Sequence, residues 1–192
     1  QNAISNSFAF MIDRFEDVPV GGVSHYFQKS TNTIGDPSIA SYHDEISGGT
    51  KLIHFFGHST SNILDISLRD PNEYTNTGRY PLMIAMGCYG GDFTGGRSFG
   101  EQWVMQPKKG SIGYIGNSSA GYLNPLRDYA RVFYNEFYRK QRNGLPIGEV
   151  LKEVNQLFTD SLNNTMFRNH SRQLNLQGDP AISLYFAGRP DY

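Results

Sequence analysis

The sequence predicts an α/β fold in which helices cover both faces of a mostly parallel sheet. Two observations support this fold class. Short apolar runs that end in Gly and polar residues are typical of buried parallel strands, and several occur along the chain. Segments with helical spacing lie between these runs, an alternation that favours parallel strands joined by helices. The 192 residues suit one domain with a substantial core, and 38% of them are apolar.

The elements follow in chain order from the apolar runs and the helix signals. Strands are predicted at residues 7–13, 51–57, 82–87, 110–116 and 181–186. Helices are predicted at residues 21–30, 36–46, 98–105, 126–141 and 147–161. Asp36 and Pro37 suit the N-cap and first turn of the second helix, and Gly48-Gly49 suit its end. The polar residues 59–79 are expected to form a long loop.

Charge and hydropathy argue against two classes of partner. The 17 Lys and Arg residues nearly balance the 18 Asp and Glu residues and form no basic run, so nucleic acid is not expected as a partner. No apolar stretch approaches the roughly 20 residues of a membrane-spanning helix. The chain begins at Gln1 without a basic-then-apolar leader, which favours a piece of a longer protein with flanking domains. Residues 1–188 are expected to be the domain, and residues 189–192 to lead out of it.

Two of the apolar runs end in reactive side chains. The first closes with Gly57-His58, and the second closes with Gly87 and Cys88, which is the one cysteine of the chain. Ligands and catalytic groups gather at the carboxyl ends of parallel strands. We therefore predict that Cys88 is a nucleophile and His58 its partner, on adjacent strands and about 4–7 Å apart. The alternative is that Cys88 is a small buried hydrophobe, as free cysteines often are.

Other conspicuous side chains are interpreted as structural. His54 has the same strand parity as His58 and is expected to be a hydrogen-bonded histidine of the core. Trp103, on a predicted helix, is also assigned to the core. The three remaining histidines are assigned to the surface: His25, His43 and His170.

In order, these motifs resemble those of the caspase-like cysteine peptidases, and among them the gingipains and the related type IX secretion sortases. The similarity extends over about residues 36–186 and lies in Gly48–His58, Cys88-Tyr-Gly-Gly-Asp-Phe93, Ser98–Trp103, Gly110–Ser119, Pro146–Glu149 and Gly178–Ile182. The resemblance implies a three-layer αβα sandwich with a mostly parallel sheet of about six strands. It also implies a secreted or cell-surface endopeptidase domain with a polypeptide substrate and no required cofactor.

The resemblance also implies roles for residues at the predicted site. The Cys88 thiolate attacks the scissile carbonyl, His58 acts on the leaving group, and the backbone N–H groups of Cys88 and Ser59 hold the oxyanion. Members of the family usually have Gly where this chain has Ser59. Ser59 still carries the N–H donor, but a side chain there can change the dihedral angles of the loop that presents it. Ser59→Gly is therefore expected to leave activity unchanged or raise it.

Substrate binding is expected from two segments near the nucleophile. The resemblance assigns the wall of the specificity pocket to Asn117, Ser118 and Ser119, and Tyr89 lies next to Cys88 in sequence. A pocket for Arg or Lys needs a carboxylate, for which Asp13 and Asp17 are the candidates.

Three alternatives stay open at this point. Asp13 and Asp17, together with Glu16, are also candidates for a structural calcium site. The alternative to an enzyme is a non-catalytic caspase-like scaffold in which His58 and Cys88 are relics, since a fold does not establish a function. Within the enzyme class, a type IX secretion sortase is the alternative to an endopeptidase.

Overall fold

The computed structural model describes residues 2–16, 21–29, 41–68, 70–138, 144–161 and 164–185. They form two compact units. One unit comprises residues 26–122 and 173–179, and the other comprises residues 1–25, 123–172 and 180–192. In the part of the chain that the structure describes, no helix is both long and apolar enough to span a bilayer.

The first of these units is built on a four-stranded sheet in the order β1-β2-β3-β4. The strands are β1 (Leu52–Phe56), β2 (Leu82–Met86), β3 (Gly113–Asn117) and β4 (Leu174–Gly178). β1 pairs with β2 and β2 with β3 in parallel, whereas β4 runs antiparallel to β3. The prediction of a mostly parallel sheet is confirmed, with four strands in the described residues where about six were expected.

One face of this sheet packs on an aromatic core. Ile53, Phe55, Met83 and Ala85 point to this face and pack in one cluster with residues of α2 (Ser41–Gly48) and α3 (Phe99–Val104). Trp103 is fully buried there, with its ring centroid 5.1 Å from that of Tyr74, as the sequence predicted for a core residue.

The second unit is helical in its described residues. Its helices are α1 (Asn2–Glu16), α4 (Leu123–Tyr138), α5 (Ile147–Ser161) and α6 (Thr165–Gln173), whose final residue belongs to the sheet unit. α4 packs against both α1 and α5. The apolar face predicted for α4 is buried, including Tyr129, Phe133 and Phe137.

The N-terminal prediction is wrong. The residues predicted as a strand at 7–13 lie in helix α1, and residues 21–29 form no helix or strand where a helix was predicted. Phe8, Met11 and Phe15 are spaced for one helix face, and a short apolar run does not distinguish a helix from a strand. The cap residues Asp36 and Pro37 lie outside the described residues.

The C-terminal prediction is also wrong. Residues 181–185 form no strand. The segment instead caps the N-terminus of helix α5, because the Ile147 and Gly148 N–H groups donate to the carbonyls of Ile182 and Pro180 at 2.8 and 2.9 Å. Asp179 therefore precedes a helix-capping turn. Helix α6 was not predicted, and on it His170 is buried and hydrogen-bonded to the Met166 carbonyl, contrary to the surface assignment.

Candidate active site

His58 and Cys88 follow the carboxyl ends of two neighbouring parallel strands, as predicted. Phe56 pairs with Met86 at the end of the β1–β2 ladder, and the Gly57 N–H still donates to the Met86 carbonyl at 3.2 Å. His58 and Cys88 each lie two residues beyond this last pair. Both residues therefore follow strands that end at one edge of the sheet, which is where catalytic groups of parallel sheets gather.

His58 begins a short hairpin that is tied to the rest of the sheet unit. The Asp65 N–H donates to the His58 carbonyl at 2.9 Å. The Asp65 carboxylate pairs with Lys29 Nζ at 2.6 Å, and both of these side chains are largely buried. His58 itself is exposed. The backbone hydrogen bond and the ion pair of Asp65 thus hold the hairpin in place, while the His58 imidazole remains accessible to solvent.

The hairpin is bonded directly to the cysteine loop. Ser59 Oγ donates to the Cys88 carbonyl at 2.7 Å. A side chain on Gly87 would collide with that hydroxyl, which explains a glycine immediately before the cysteine. The residue that differs from the usual family pattern therefore joins the two loops of the candidate site.

The Cys88 side chain is half-buried and lies against a third segment. The Gly121 N–H donates to Cys88 Sγ at 3.4 Å, and the thiol donates to the Gly121 carbonyl at 3.6 Å. Gly121 was not predicted, because a backbone contact leaves no signal in the residue type.

Two of the predicted substrate-binding residues lie beside the cysteine. Tyr89 is exposed and has a left-handed backbone with φ of +56°, and its N–H donates to the Ser119 carbonyl at 2.8 Å. Strained backbone of this kind concentrates at functional sites. The segment after β3 therefore borders Cys88 on the side of Tyr89.

The other two predicted residues, Asn117 and Ser118, stabilise the segment after β3 through hydrogen bonds. Asn117 is fully buried, and its Nδ2 donates to the Ser119 carbonyl at 2.8 Å. Ser118 donates to the Gln173 carbonyl through both its N–H and its hydroxyl, at 2.9 and 3.1 Å. Contact of these residues with a substrate stays a prediction.

The cysteine loop is also held by β4, which was not predicted. The Gly91 carbonyl accepts from Asn175 Nδ2 at 3.3 Å and from Gln177 Nε2 at 3.2 Å. Gly91 lies so close to the backbone of Gly116 that a Cβ would contact it at 2.5 Å. The alternation of Leu174 and Leu176 with polar residues is the sequence signal that could have identified this strand.

Two titratable groups near the site have shifted pKa values. Burial lowers the pKa of His54 to about 3, so this imidazole is neutral at physiological pH. Its ring nitrogen Nε2 is shielded from solvent although the residue as a whole is half-buried. The hydrogen bonds from Thr94, its hydroxyl first and its N–H second, lower the pKa of the exposed Asp92 carboxyl.

The acidic residues proposed for calcium or for a basic substrate side chain lie in a different setting from the one expected. Asp13 and Glu16 are on helix α1, and Asp17 lies outside the described residues. Glu16 Oε1 accepts a hydrogen bond from the Ser24 N–H at 3.0 Å. In the described ranges, no group of three or more His, Cys, Asp or Glu side chains is arranged to hold a metal ion. Both roles stay predictions.

Comparison with known proteins establishes the family. The profile of Peptidase family C25 matches residues 9–185, and the chain belongs to this gingipain family of cysteine peptidases. No significant match was found among curated protein sequences.

Solved structures give the same fold. The crystal structure of the Arg-specific cysteine proteinase gingipain R is 19% identical, with a TM-score of 0.67 over 78% of this chain and 37% of that one. A complex of the pro- and mature domains of RgpB from Porphyromonas gingivalis is 16% identical, with a TM-score of 0.68 over 78% of this chain and 38% of that one. A third structure, described as that of a protease, is 16% identical, with a TM-score of 0.68 over 77% and 38% of the two chains. The chain thus spans less than two fifths of the length of these proteins.

Proposed function

We propose that this chain is the catalytic domain of a gingipain-type cysteine endopeptidase in which Cys88 is the nucleophile and His58 the acid and base. The observation that carries the proposal is the register of β1 and β2, which ends with both residues at one edge of the sheet. Family membership gives this pair its chemical meaning. A secreted or cell-surface location follows from the resemblance to gingipains and belongs to the same proposal.

The reaction follows from the chemistry of the pair. Cys88 Sγ attacks the carbonyl carbon of the scissile peptide bond, and its proton passes to the leaving amine by way of His58. The C–N bond breaks and leaves a thioester on Cys88. Water then attacks the thioester, His58 takes the water's proton, and that proton returns to sulfur as the carboxylic acid product leaves.

The oxyanion of the tetrahedral intermediate needs donors, and two backbone groups are available. Among the described residues, the N–H groups of Ser59 and Cys88 donate to no other backbone carbonyl beyond the regular strands and helices. Preorganised N–H donors of this kind stabilise developing negative charge where water is excluded. We assign the oxyanion to these two groups.

The test is cleavage of a random peptide library, read by mass spectrometry, with a reductant present. Wild type and Cys88→Ala are compared in parallel, each with its melting temperature. We expect cleavage by wild type and none by Cys88→Ala at an unchanged melting temperature. The library also reports which side chain precedes the cleaved bond, and therefore whether a carboxylate-lined pocket is needed.

Alkylation of Cys88 by iodoacetamide separates an enzyme from a scaffold. An activated cysteine reacts rapidly below its ordinary pKa of about 8.5, whereas an ordinary thiol follows the titration of a free cysteine. Folded wild type that cleaves nothing and has an ordinary thiol would contradict the proposal and favour the non-catalytic scaffold.

We propose the calcium site separately, because its candidate ligands are not residues of the reactive pair. These ligands are Asp13, Glu16 and Asp17. Calcium that binds the folded state raises its melting temperature by mass action. We expect wild type to melt at a higher temperature in calcium than in EDTA, and expect Asp13→Asn to reduce this difference. Equal melting temperatures in the two solutions would contradict the site.

A further inference from the structure

The peptide unit that follows the nucleophile is anchored at both of its polar ends. The carbonyl of Cys88 accepts from Ser59 Oγ at 2.7 Å. The N–H of the same unit, which belongs to Tyr89, donates to the Ser119 carbonyl at 2.8 Å. Because a peptide unit is planar, two bonds in opposite directions fix its orientation.

This orientation is costly for the backbone to adopt without support. The unit leads directly into the left-handed φ of +56° at Tyr89, a region that residues other than glycine rarely enter. Such a conformation persists only where the surrounding contacts enforce it. The bond from Ser59 is one of the two contacts at this unit.

The structure also leaves space for the Ser59 side chain. Gly87 has no side chain where the hydroxyl lies, and any Cβ there would collide with Ser59 Oγ. Ser59 pairs with Leu64 in an antiparallel bridge, in which the flanking N–H groups of Thr60 and Asp65 make the cross-strand bonds. In such a pair the N–H of the central residue points away from its partner. The Ser59 N–H therefore points out of the hairpin.

We propose that Ser59 is a positioning residue of the peptidase site. Its hydroxyl holds the peptide unit after Cys88, and this bond holds together the two residues whose backbone N–H groups we assign to the oxyanion. The proposal rests on the proposed function. It reverses the expectation from sequence alone that glycine at position 59 is neutral or better, because glycine removes the hydroxyl and leaves the Cys88 carbonyl without its donor.

The experiment compares Ser59→Ala, Ser59→Gly and Ser59→Thr with wild type. The control is Thr60→Ala, which removes the neighbouring hydroxyl of the same hairpin. Four quantities are measured: kcat and KM on the peptide that wild type cleaves best, the inhibition constant of the aldehyde of that peptide, the rate of Cys88 alkylation by iodoacetamide, and the melting temperature. The aldehyde forms a tetrahedral adduct on sulfur and needs the oxyanion donors, whereas alkylation displaces iodide and does not.

We expect Ser59→Ala and Ser59→Gly to lower kcat and to weaken aldehyde binding by about 3- to 10-fold, the usual contribution of one neutral hydrogen bond. KM and the alkylation rate should stay near those of wild type. Ser59→Thr keeps the hydroxyl and should restore most of kcat, and Thr60→Ala should match wild type throughout.

Two results would overturn the inference while the proposed function stands. The first is cleavage by Ser59→Ala and Ser59→Gly as fast as by wild type. The second is a parallel fall in kcat, alkylation rate and melting temperature, which would mean that Ser59 only stabilises the loop. If wild type cleaves nothing and Cys88→Ala is indistinguishable from it, the proposed function fails, and the inference fails with it.

Discussion

His54 and His58 lie four residues apart along β1 and its extension, with the same strand parity, yet their surroundings differ. The Nε2 atom of His54 is shielded from solvent, and burial lowers the pKa of this imidazole to about 3. His58 lies beyond the strand end, is exposed, and belongs to a hairpin held by backbone hydrogen bonds and the Lys29–Asp65 pair. The same residue type is therefore part of the sheet interior at one position and available for chemistry at the other.

The interior and the carboxyl edge of the sheet are also held together differently. The interior face around Trp103 and Phe55 depends on apolar contacts between buried side chains. The edge depends on hydrogen bonds to backbone atoms of Cys88, Tyr89 and Gly91. Substitutions in the interior should therefore change stability, and substitutions at the edge should change activity.

The largest expected effect is on catalysis at the edge. His58→Ala should lower kcat/KM by about 10²- to 10⁴-fold, the usual contribution of a general acid and base. Its melting temperature should be unchanged because the side chain is exposed. The matched control is His54→Leu, which should retain most of the specific activity. Equal losses of activity in the two variants would contradict the distinction between a catalytic His58 and a structural His54.

The next effect is on stability in the interior. Trp103→Ala removes a fully buried indole and should lower the free energy of unfolding by about 3–5 kcal/mol, measured in urea. Met105→Ala, at a side chain that is 64% exposed near the end of α3, should change it by about 0.5 kcal/mol or less. A Trp103→Ala protein as stable as wild type would show that the core does not depend on this residue.

A third prediction concerns the pH dependence caused by His54. The unfolded chain binds a proton at this residue below about pH 6.5, whereas the folded protein does so only near pH 3, so stability falls as pH decreases through this range. From pH 7 to pH 5 the loss should be about 2 kcal/mol at this residue. Urea unfolding of wild type and His54→Leu at both pH values measures it. A loss of the same size in the variant would contradict the assignment.

The smallest effect is expected at the start of α3. The Ser98 hydroxyl accepts from the Glu101 N–H while the Glu101 carboxylate accepts from the Ser98 N–H, a capping box. Ser98→Ala should lower the free energy of unfolding by about 1 kcal/mol. Glu101→Gln keeps a side-chain acceptor and should be close to wild type. A larger effect on kcat/KM than on stability would mean that the start of α3 contributes to activity, as residues at the carboxyl edge of the sheet do.

Much of the sheet unit was predictable because its elements are local patterns. β1 and β2 are short apolar runs bounded by glycine, and Ser98 with Glu101 is a recognisable helix start. The order of strand and helix signals was enough to place His58 and Cys88 at one edge, which the β1–β2 register agrees with.

The misplaced elements are those whose local patterns are ambiguous. The run Ser7-Phe-Ala-Phe-Met-Ile-Asp13 suits a strand or a helix, and packing of α1 on α4 decides for the helix. Residues 181–185 have a strand-like composition, but the carbonyls of Pro180 and Ile182 accept hydrogen bonds from the first turn of α5. The packing partners, α4 in the first case and α5 in the second, cannot be predicted from the sequence of either segment alone.

By itself the sequence determined the α/β class and the two strands that precede His58 and Cys88, because periodicity and residue type are local properties. That these two residues react as a pair stays a prediction. Only the tertiary structure decided how the pair is supported. The bonds from Ser59 Oγ to the Cys88 carbonyl and from the Gly121 N–H to Cys88 Sγ join residues about 30 positions apart through backbone atoms. Every residue carries such backbone atoms, so residue type does not predict these hydrogen bonds. The bonds form only when the ends of the strands come together in the fold.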